Sequence, residues 1–423
     1  MRAATSPSNF RRFGRWLVAA PAAAACLLLL SCGASNTIDF LYVTSNLENP
    51  GQINAYEVNS ESGALRQIPD SPYPSGGRNP VYVVTTPSGK YLYVANHDDN
   101  TIVQYAVGTD GKLYPLTTTN TPGTEPVALA VNSSGSQLYV LDYYAPAAPG
   151  QPSYTDLNPG PGALIVYPIN SSNGTLGAPL SVGAANYFLV QCFPSNLAVT
   201  PNGNFVYVSN TNAVVVTTSP PVTGTVPILP ATCPSSGTVS AFSVSASAVT
   251  PVAGSPFSTG TGSQPTGVIA DPGSGAIYVT DSLLNQLDTY TVGASGALSL
   301  AATIPTGNMP MGGAIVSPAS SGEFLYVTNF KDGSLSIYSL SSGLPTLITT
   351  SNAGSSGPLC VLADPETHRY LYTADYIGGT VGGAELDPSK GTLITNQGSP
   401  YPTSGQPTCM AAVTHAQGNA HGL

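Results

Sequence analysis

Charge is scarce in this chain: Asp, Glu, Lys and Arg make up 8% of its 423 residues. Basic residues are the scarcer kind, 11 against 21 acidic, for a net charge of −10. A nucleic-acid binder needs a basic face to meet phosphate, so that partner class is excluded. Ala/Glu/Lys/Leu-rich runs are missing, and no segment sustains a 3.6-residue apolar period. Their absence excludes a coiled coil and a helical bundle. Tryptophan occurs once, as Trp16. Beyond residue 31 no stretch has the ~20 apolar residues that a membrane-spanning helix needs. The chain is instead 42% hydrophobic, too apolar for disorder. Its 45 Gly and 39 Pro make up about a fifth of it, above the usual share. These properties describe an all-β protein, rich in turns and long enough for a large core.

The first 31 residues read as an address. Arg2, Arg11, Arg12 and Arg15 precede an apolar run from Trp16 to Leu30, the order of a bacterial export signal. The ending Leu29-Leu30-Ser31-Cys32 resembles a lipobox, which implies lipidation of Cys32 and membrane attachment through it. Ala34 stands two places on, where Asp would mark inner-membrane retention, and so implies sorting to the outer membrane. The expected product is an exported lipoprotein, periplasmic or at the cell surface. An ordinary cleaved signal and a retained anchor are the alternatives. The expected division is a signal over 1–31, a tether over 32–39, the fold over 40–414 and a tail over 415–423. The signal holds four of the 11 basic residues and none of the 21 acidic ones, so the remainder is net −14.

One phrase recurs seven times: Leu41-Tyr42-Val43, Leu92-Tyr93-Val94, Leu138-Tyr139-Val140, Val206-Tyr207-Val208, Ile277-Tyr278-Val279, Leu325-Tyr326-Val327 and Leu371-Tyr372-Thr373. A proline opening a short apolar strand also recurs seven times, at Pro80, Pro126, Pro194, Pro265, Pro310, Pro358 and Pro407. The mean step is about 54 residues, near the period of propeller repeats. The clearest copy reads as four strands, 81–85, 91–95, 101–107 and 113–118, separated by Gly, Asp, Asn and Pro. Seven such units predict a seven-bladed β-propeller of four-stranded blades. The fold starts with a second strand at Phe40 and ends with a first strand, Pro407 to Val413. The C-terminal inner strand is therefore expected to join the N-terminal blade and close the ring, which leaves no inner edge unpaired.

These repeats resemble the lactonase-type seven-bladed propellers, the family of 6-phosphogluconolactonases and carboxymuconate-cyclising enzymes. The related YVTN repeat is visible in Tyr42-Val43-Thr44 and Tyr326-Val327-Thr328-Asn329. Gly254-Ser255-Pro256-Phe257 carries the likeness further, and Ser71-Pro72-Tyr73 and Ser399-Pro400-Tyr401 repeat its core. The resemblance covers Phe40 to Val413 and implies a hydrolase of a lactone or cyclic ester. One fold hosts many functions, so a non-catalytic envelope propeller binding a glycan or a protein is the second expectation. Many members carry histidines just before an inner strand. The matching segment here, Gln191-Cys192-Phe193-Pro194-Ser195-Asn196, has none. A phosphorylated sugar lactone would want several basic residues around its phosphate, and those here are few and dispersed.

Three insertions, Tyr143–Gly162, Ser181–Phe193 and Thr211–Ser236, fall in loops that share one face of a propeller. Cys192 and Cys233 lie in two of them, and a disulfide between them is expected in an exported protein. Cys360 and Cys409 each follow a proline by two residues on adjacent inner strands. They are expected to stay buried thiols, because strands of adjacent blades stand too far apart to bridge. On the same face lie Arg78, His97, Glu125 and Asp142, from two adjacent blades. Lactone opening needs a base to activate water and a donor to stabilise the oxyanion. His97 or Glu125 suits the first role and Arg78 the second; the alternative is a surface ion pair and a turn histidine. Asn96, Asp142, Asn210, Asp281, Asn329 and Asp375 each follow a second strand. Each is expected to bond the backbone of its own turn rather than Ca²⁺ or Mg²⁺. No metal and no cofactor is expected. Tyr143, Phe330 and Tyr376 come next in the chain, either as stacking surfaces at the mouth or as packing between blades.

Overall fold

The computed structural model describes residues 36–415, apart from 47–48, 149, 157, 212–232, 319–321, 341–343 and 353–355. The expected export signal, Cys32 and most of the Thr211–Ser236 insertion lie outside the described residues. Seven antiparallel sheets of four principal strands form the propeller. In blade 1 the inner strand is Pro407–Thr414, followed outward by Thr37–Ser45, Gln52–Asn59 and Leu65–Gln67. Phe40 pairs with Val413 and Tyr42 with Ala411, so the end of the chain closes the ring on its beginning. Blade 2 runs Pro80–Thr85, Tyr91–Asn96, Thr101–Val107, Leu113–Asn120. Blades 3 to 7 open with Thr124–Val131, Pro194–Val199, Pro265–Ala270, Pro310–Val316 and Pro358–Ala363. Among the described residues no helix is long and apolar enough to cross a membrane.

Three blades carry a short fifth strand that a four-strand reading leaves out: Tyr73–Pro74, Phe257–Ser258 and Tyr401–Pro402. These are the Ser-Pro-aromatic phrases. Each serine oxygen accepts a third-strand N–H, from Ala55 to Ser71, Ala241 to Ser255 and Gly383 to Ser399, at 2.8–2.9 Å. The phrase thus satisfies a donor where the outer strand parts from the third.

The core lies between blades. Second strands are covered on both faces, and Tyr91–Asn96 is buried at every position. Phe40, Tyr42 and Ile53 of blade 1 pack on Val83, Val94 and Val103 of blade 2. The recurrent tyrosine then crosses the seam. Its hydroxyl donates to a glycine carbonyl in the outer hairpin of the next blade: Tyr42 to Gly111, Tyr93 to Gly174, Tyr207 to Gly296, Tyr326 to Gly391 and Tyr372 to Gly63. All five glycines have positive φ, 62° to 86°. A Cβ on any of them would collide with an aromatic ring of the preceding blade: Phe40, Tyr91, Phe205, Phe324 or Tyr370. That ring stands two residues before the seam tyrosine, so one aromatic-x-Tyr phrase both packs on the glycine and bonds it.

Two blades depart from this, and both lack the leading aromatic. Blade 3 has Gln137 there: Tyr139 donates to its Oε1 at 2.9 Å, and Gln137 Nε2 donates to Ser245 O of blade 4 at 3.0 Å. Blade 5 has Ala276, and Tyr278 turns to Asp271 of its own blade at 2.7 Å.

Cys192 and Cys233 form a disulfide with Cα atoms 5.6 Å apart. Cys360 and Cys409 form a second one, at 5.2 Å, where two free thiols were expected. Adjacent inner strands crowd together around the channel closely enough to hydrogen-bond. Thr408 reaches Pro80 O at 2.8 Å, Ser195 reaches Pro265 O at 2.9 Å and Thr266 reaches Pro310 O at 2.7 Å. A 5.2 Å Cα separation falls in the range that a disulfide spans.

Candidate active site

Two positions in each blade border the mouth: the residue before the inner-strand proline and the one after the second strand. A backbone bond ties them together. The second donates to the first in the pairs His97–Asn79, Thr211–Phe193, Ser282–Gln264, Phe330–Met309, Tyr376–Gly357 and Asn46–Gln406, at 2.9–3.2 Å. In blade 3 the ladder runs on to Tyr144 opposite Thr124, with Glu125 and Tyr143 at the corresponding places. Glu125, Phe193 and Met309 adopt the left-handed region, with φ of 58°, 54° and 57°. That region costs an ordinary side chain roughly 1–2 kcal/mol. Neighbouring loops hold the strain: Asn100 Oδ1 accepts the Glu125 N–H at 2.7 Å and Asn285 Oδ1 the Met309 N–H at 2.8 Å.

Chemistry gathers on the rim of blades 2 and 3. His97 opens a single 3-10 turn, His97–Asp99. Its Nδ1 lies 2.8 Å from Asp98 Oδ1, and its Nε2 lies 3.8 Å from Glu125 Oε2. The side chains are 26% and 34% exposed, so water reaches both. Arg78 clamps this turn. Its backbone N–H and Nε donate to Asp99 at 2.7 Å, and Nη2 donates to Asp98 O at 2.9 Å. Asn79 Nδ2 adds a 3.0 Å bond to Asp98 Oδ1.

Burial works upward on Asp98, but hydrogen bonds from Asn79 and His97 outweigh it and hold its carboxyl below the usual range. Glu125 goes the other way. Burial pushes its carboxyl up, His97 pulls it down, and Asp156 and Asp98 push it up again, for a net rise. Asp156 accepts the Tyr144 hydroxyl at 2.9 Å. The Tyr143 ring packs on Phe193 with centroids 5.7 Å apart, in a cluster with Cys192 and Cys233.

Arg78, His97 and Glu125 therefore lie on one stretch of rim, with Asp98 and Asp99, turn residues by composition, linking Arg78 to His97. Asp156 and Tyr144 were missed inside an insertion without internal repeat. Asp142 lies beneath them, wholly buried, with Oδ2 accepting the Gly123 N–H at 2.8 Å. Burial pushes its carboxyl well above the usual range.

The other polar residues expected after second strands are the last residues of those strands and are equally buried. Asn96, Asn210, Asp281 and Asn329 bond the backbone of their own blade or of the loop leading into it. Among the described residues no group of three or more His, Cys, Asp or Glu is arranged to hold a metal ion. A cavity of about 510 Å³ runs between the inner strands. Tyr82, Asn196, Thr408 and the Cys360–Cys409 pair help to line it, and none of the four residues anticipated for catalysis does.

A family profile described as "Lactonase, 7-bladed beta-propeller" matches residues 34–144. Over that stretch this seven-bladed propeller is similar to the lactonase family. A 6-phosphogluconolactonase of Formosa agariphila is 34% identical over 76 residues, 18% of this chain and 21% of that relative. The matched stretch thus spans about a fifth of the relative's length. A periplasmic gluconolactonase of Pseudomonas aeruginosa superposes with a TM-score of 0.65 at 18% identity, covering 89% of this chain and 99% of its own. A Lactobacillus plantarum protein gives 0.65 at 15% identity, with the same two coverages. At these identities the structural likeness speaks for the fold. Both the profile and the Formosa alignment leave most of the chain unmatched, so the lactonase relation is carried by part of the ring.

Proposed function

We propose that this chain is an exported hydrolase that opens a lactone or related cyclic ester at the rim of blades 2 and 3. One observation carries the reading: a histidine with Nδ1 fixed by a carboxylate and Nε2 turned toward a second carboxyl at an open mouth. With Asp98 accepting from Nδ1–H, the free lone pair of His97 sits on Nε2. That nitrogen takes a proton from water as the water oxygen attacks the lactone carbonyl carbon. Arg78 spends Nε and Nη2 on its clamp, which leaves Nη1 to face the carbonyl oxygen as it gains charge. When the ring C–O bond breaks, Glu125, whose raised proton affinity suits a donor, protonates the departing alkoxide. The products are a hydroxyl and a carboxylic acid on one open chain; the acid releases its proton to water, and the proton held by His97 Nε2 passes to Glu125, which restores both groups. Asp142 supports the loop at Gly123 from below. The Arg-led segment 1–31 and the likeness to a periplasmic gluconolactonase support export. Lipidation at Cys32 belongs to the same proposal.

The test is a lactone panel on the exported domain beside His97→Gln. Wild type should open at least one lactone, and the variant should lose about 10²–10⁴-fold in kcat/KM without losing thermal stability. Equal rates would remove His97 from the mechanism. If wild type opens no lactone and binds an immobilised glycan or protein instead, the non-catalytic reading takes over.

A further inference from the structure

The mouth is shared by two unlike arcs. The reactive arc, on blades 2 and 3, is acidic: Asp99 and the Asp98 carbonyl hold its one guanidinium, Glu125 stands beside His97, and Asp156 lies near Glu125. The facing arc, on blades 5 to 7, sets exposed apolar side chains beside the single charges of Lys331 and Asp332, and Asp332 is engaged by Asn308. Its rim loops present Leu283 and Leu284 at 56% and 43% exposure and Ile377 at 61%. Phe330 and Tyr376, both partly exposed, lie between them with ring centroids 6.4 Å apart, and so join blade 6 to blade 7. Exposed apolar side chains gathered on three consecutive loops of one rim are unlike the single scattered ones of an ordinary surface. Backbone bonds at Ser282, Phe330 and Tyr376 tie these loops to the inner strands through main-chain groups. Basic residues on this face are Arg78 and Lys331 alone among the described residues, and Lys331 stands on blade 6, away from the histidine.

We infer that the ester taken by this site is uncharged and carries an apolar chain, which crosses the mouth from the reactive arc and lies on Leu283, Leu284, Phe330, Tyr376 and Ile377. The inference rests on the lactone reading above and narrows its substrate. A negative group near the carbonyl would meet the carboxylates of Asp98, Asp99 and Asp156 against one committed cation, which opposes a phosphorylated or carboxylated ring. A bare polar sugar lactone would leave the apolar arc wet. An alkyl chain removes apolar area on both partners from water, and full burial of each methylene is worth roughly a fourfold gain. Chain and ring then fix the carbonyl over His97 together, which converts remote binding into positioning.

The experiment measures kcat/KM for γ- and δ-lactones with side chains from methyl to octyl, beside gluconolactone and its phosphorylated form. The expected result is a rise on the order of two- to fourfold per methylene before levelling, with the phosphorylated lactone slowest. The double variant Leu283→Ser/Ile377→Ser should cut the octyl-to-methyl ratio about tenfold, with an unchanged melting temperature. A flat dependence on chain length, or a phosphorylated lactone taken fastest, overturns the inference and leaves the hydrolase reading standing. Loss of all lactone opening in wild type would defeat the hydrolase reading instead. The chain-binding arc is then judged by octyl- against methyl-lactone affinity for His97→Gln: a preference lost in the double variant supports it, and equal affinities overturn it.

Discussion

The seams between blades and the rim of the mouth are built from the same repeat and behave in opposite ways. At five seams the same three groups meet: an aromatic ring, a tyrosine hydroxyl and a left-handed glycine. At the rim the backbone bond recurs around the ring while the side chains differ from blade to blade. His97 occupies the place that holds Ser282 in blade 5 and Phe330 in blade 6. A substitution at a seam strains a joint that the whole ring needs. A substitution at the rim leaves the joint intact and alters what faces solvent. Structure is stored where the copies agree, and chemistry where they diverge.

Breaking this contrast starts at the rim. Asp98→Asn keeps the shape of the His97 turn but removes the charge that fixes the imidazole. The expected loss is on the order of 10- to 100-fold in kcat, with KM and melting temperature little changed. A matching rise in KM, or a fall in stability, would make Asp98 a turn residue only. At a seam the signs reverse. Gly391→Ala forces a Cβ into Phe324 at a positive φ and should cost about 2 kcal/mol or more, read by urea unfolding. Tyr326→Phe loses one buried hydrogen bond and should cost about 1 kcal/mol. Neither should change kcat by as much as the Asp98 variant does.

A separate effect is one of pH. Burial, then the charges of Asp364 and Glu366, push Asp39 up to about 8, and burial pushes Asp375 up to about 7. Both carboxyls bind protons more tightly folded than unfolded, where Asp titrates near 4. Their contribution is complete below that value and is lost as pH rises through 7 and 8. The melting temperature of the propeller should therefore fall from pH 5 to pH 8, and Asp39→Asn should shallow the slope. A melting temperature that climbs over this interval would contradict the assignment.

The seven-fold pattern was legible because the tyrosine and proline phrases are local and repeated. The partners of the tyrosines were not: Tyr42 and Gly111 are 69 residues apart, and the bond joins two blades. The aromatic two places before the tyrosine was a usable signal for them, since both blades that lack it also lack the glycine bond. Arg78, His97 and Glu125 could be grouped because adjacent blades bring equivalent rim positions together. Asp98 and Asp99 escaped because turn composition explains them without any further role. Asp142 sits one residue before a rim position, and the alternation of a strand turns it inward to Gly123. The Cys360–Cys409 bond depends on how tightly inner strands crowd the channel, a property of the closed ring that no local pattern encodes.

The strand that shuts the ring is the last one made. Six blades and most of another wait for Pro407–Thr414, and the same strand brings Cys409 beside Cys360. Completion thus has a direction in time: a chain stopped a few residues short, or still emerging, is an open arc with an unpaired inner edge. In an oxidising compartment the arriving strand is also locked in place, so the ring carries a covalent record of where it was finished.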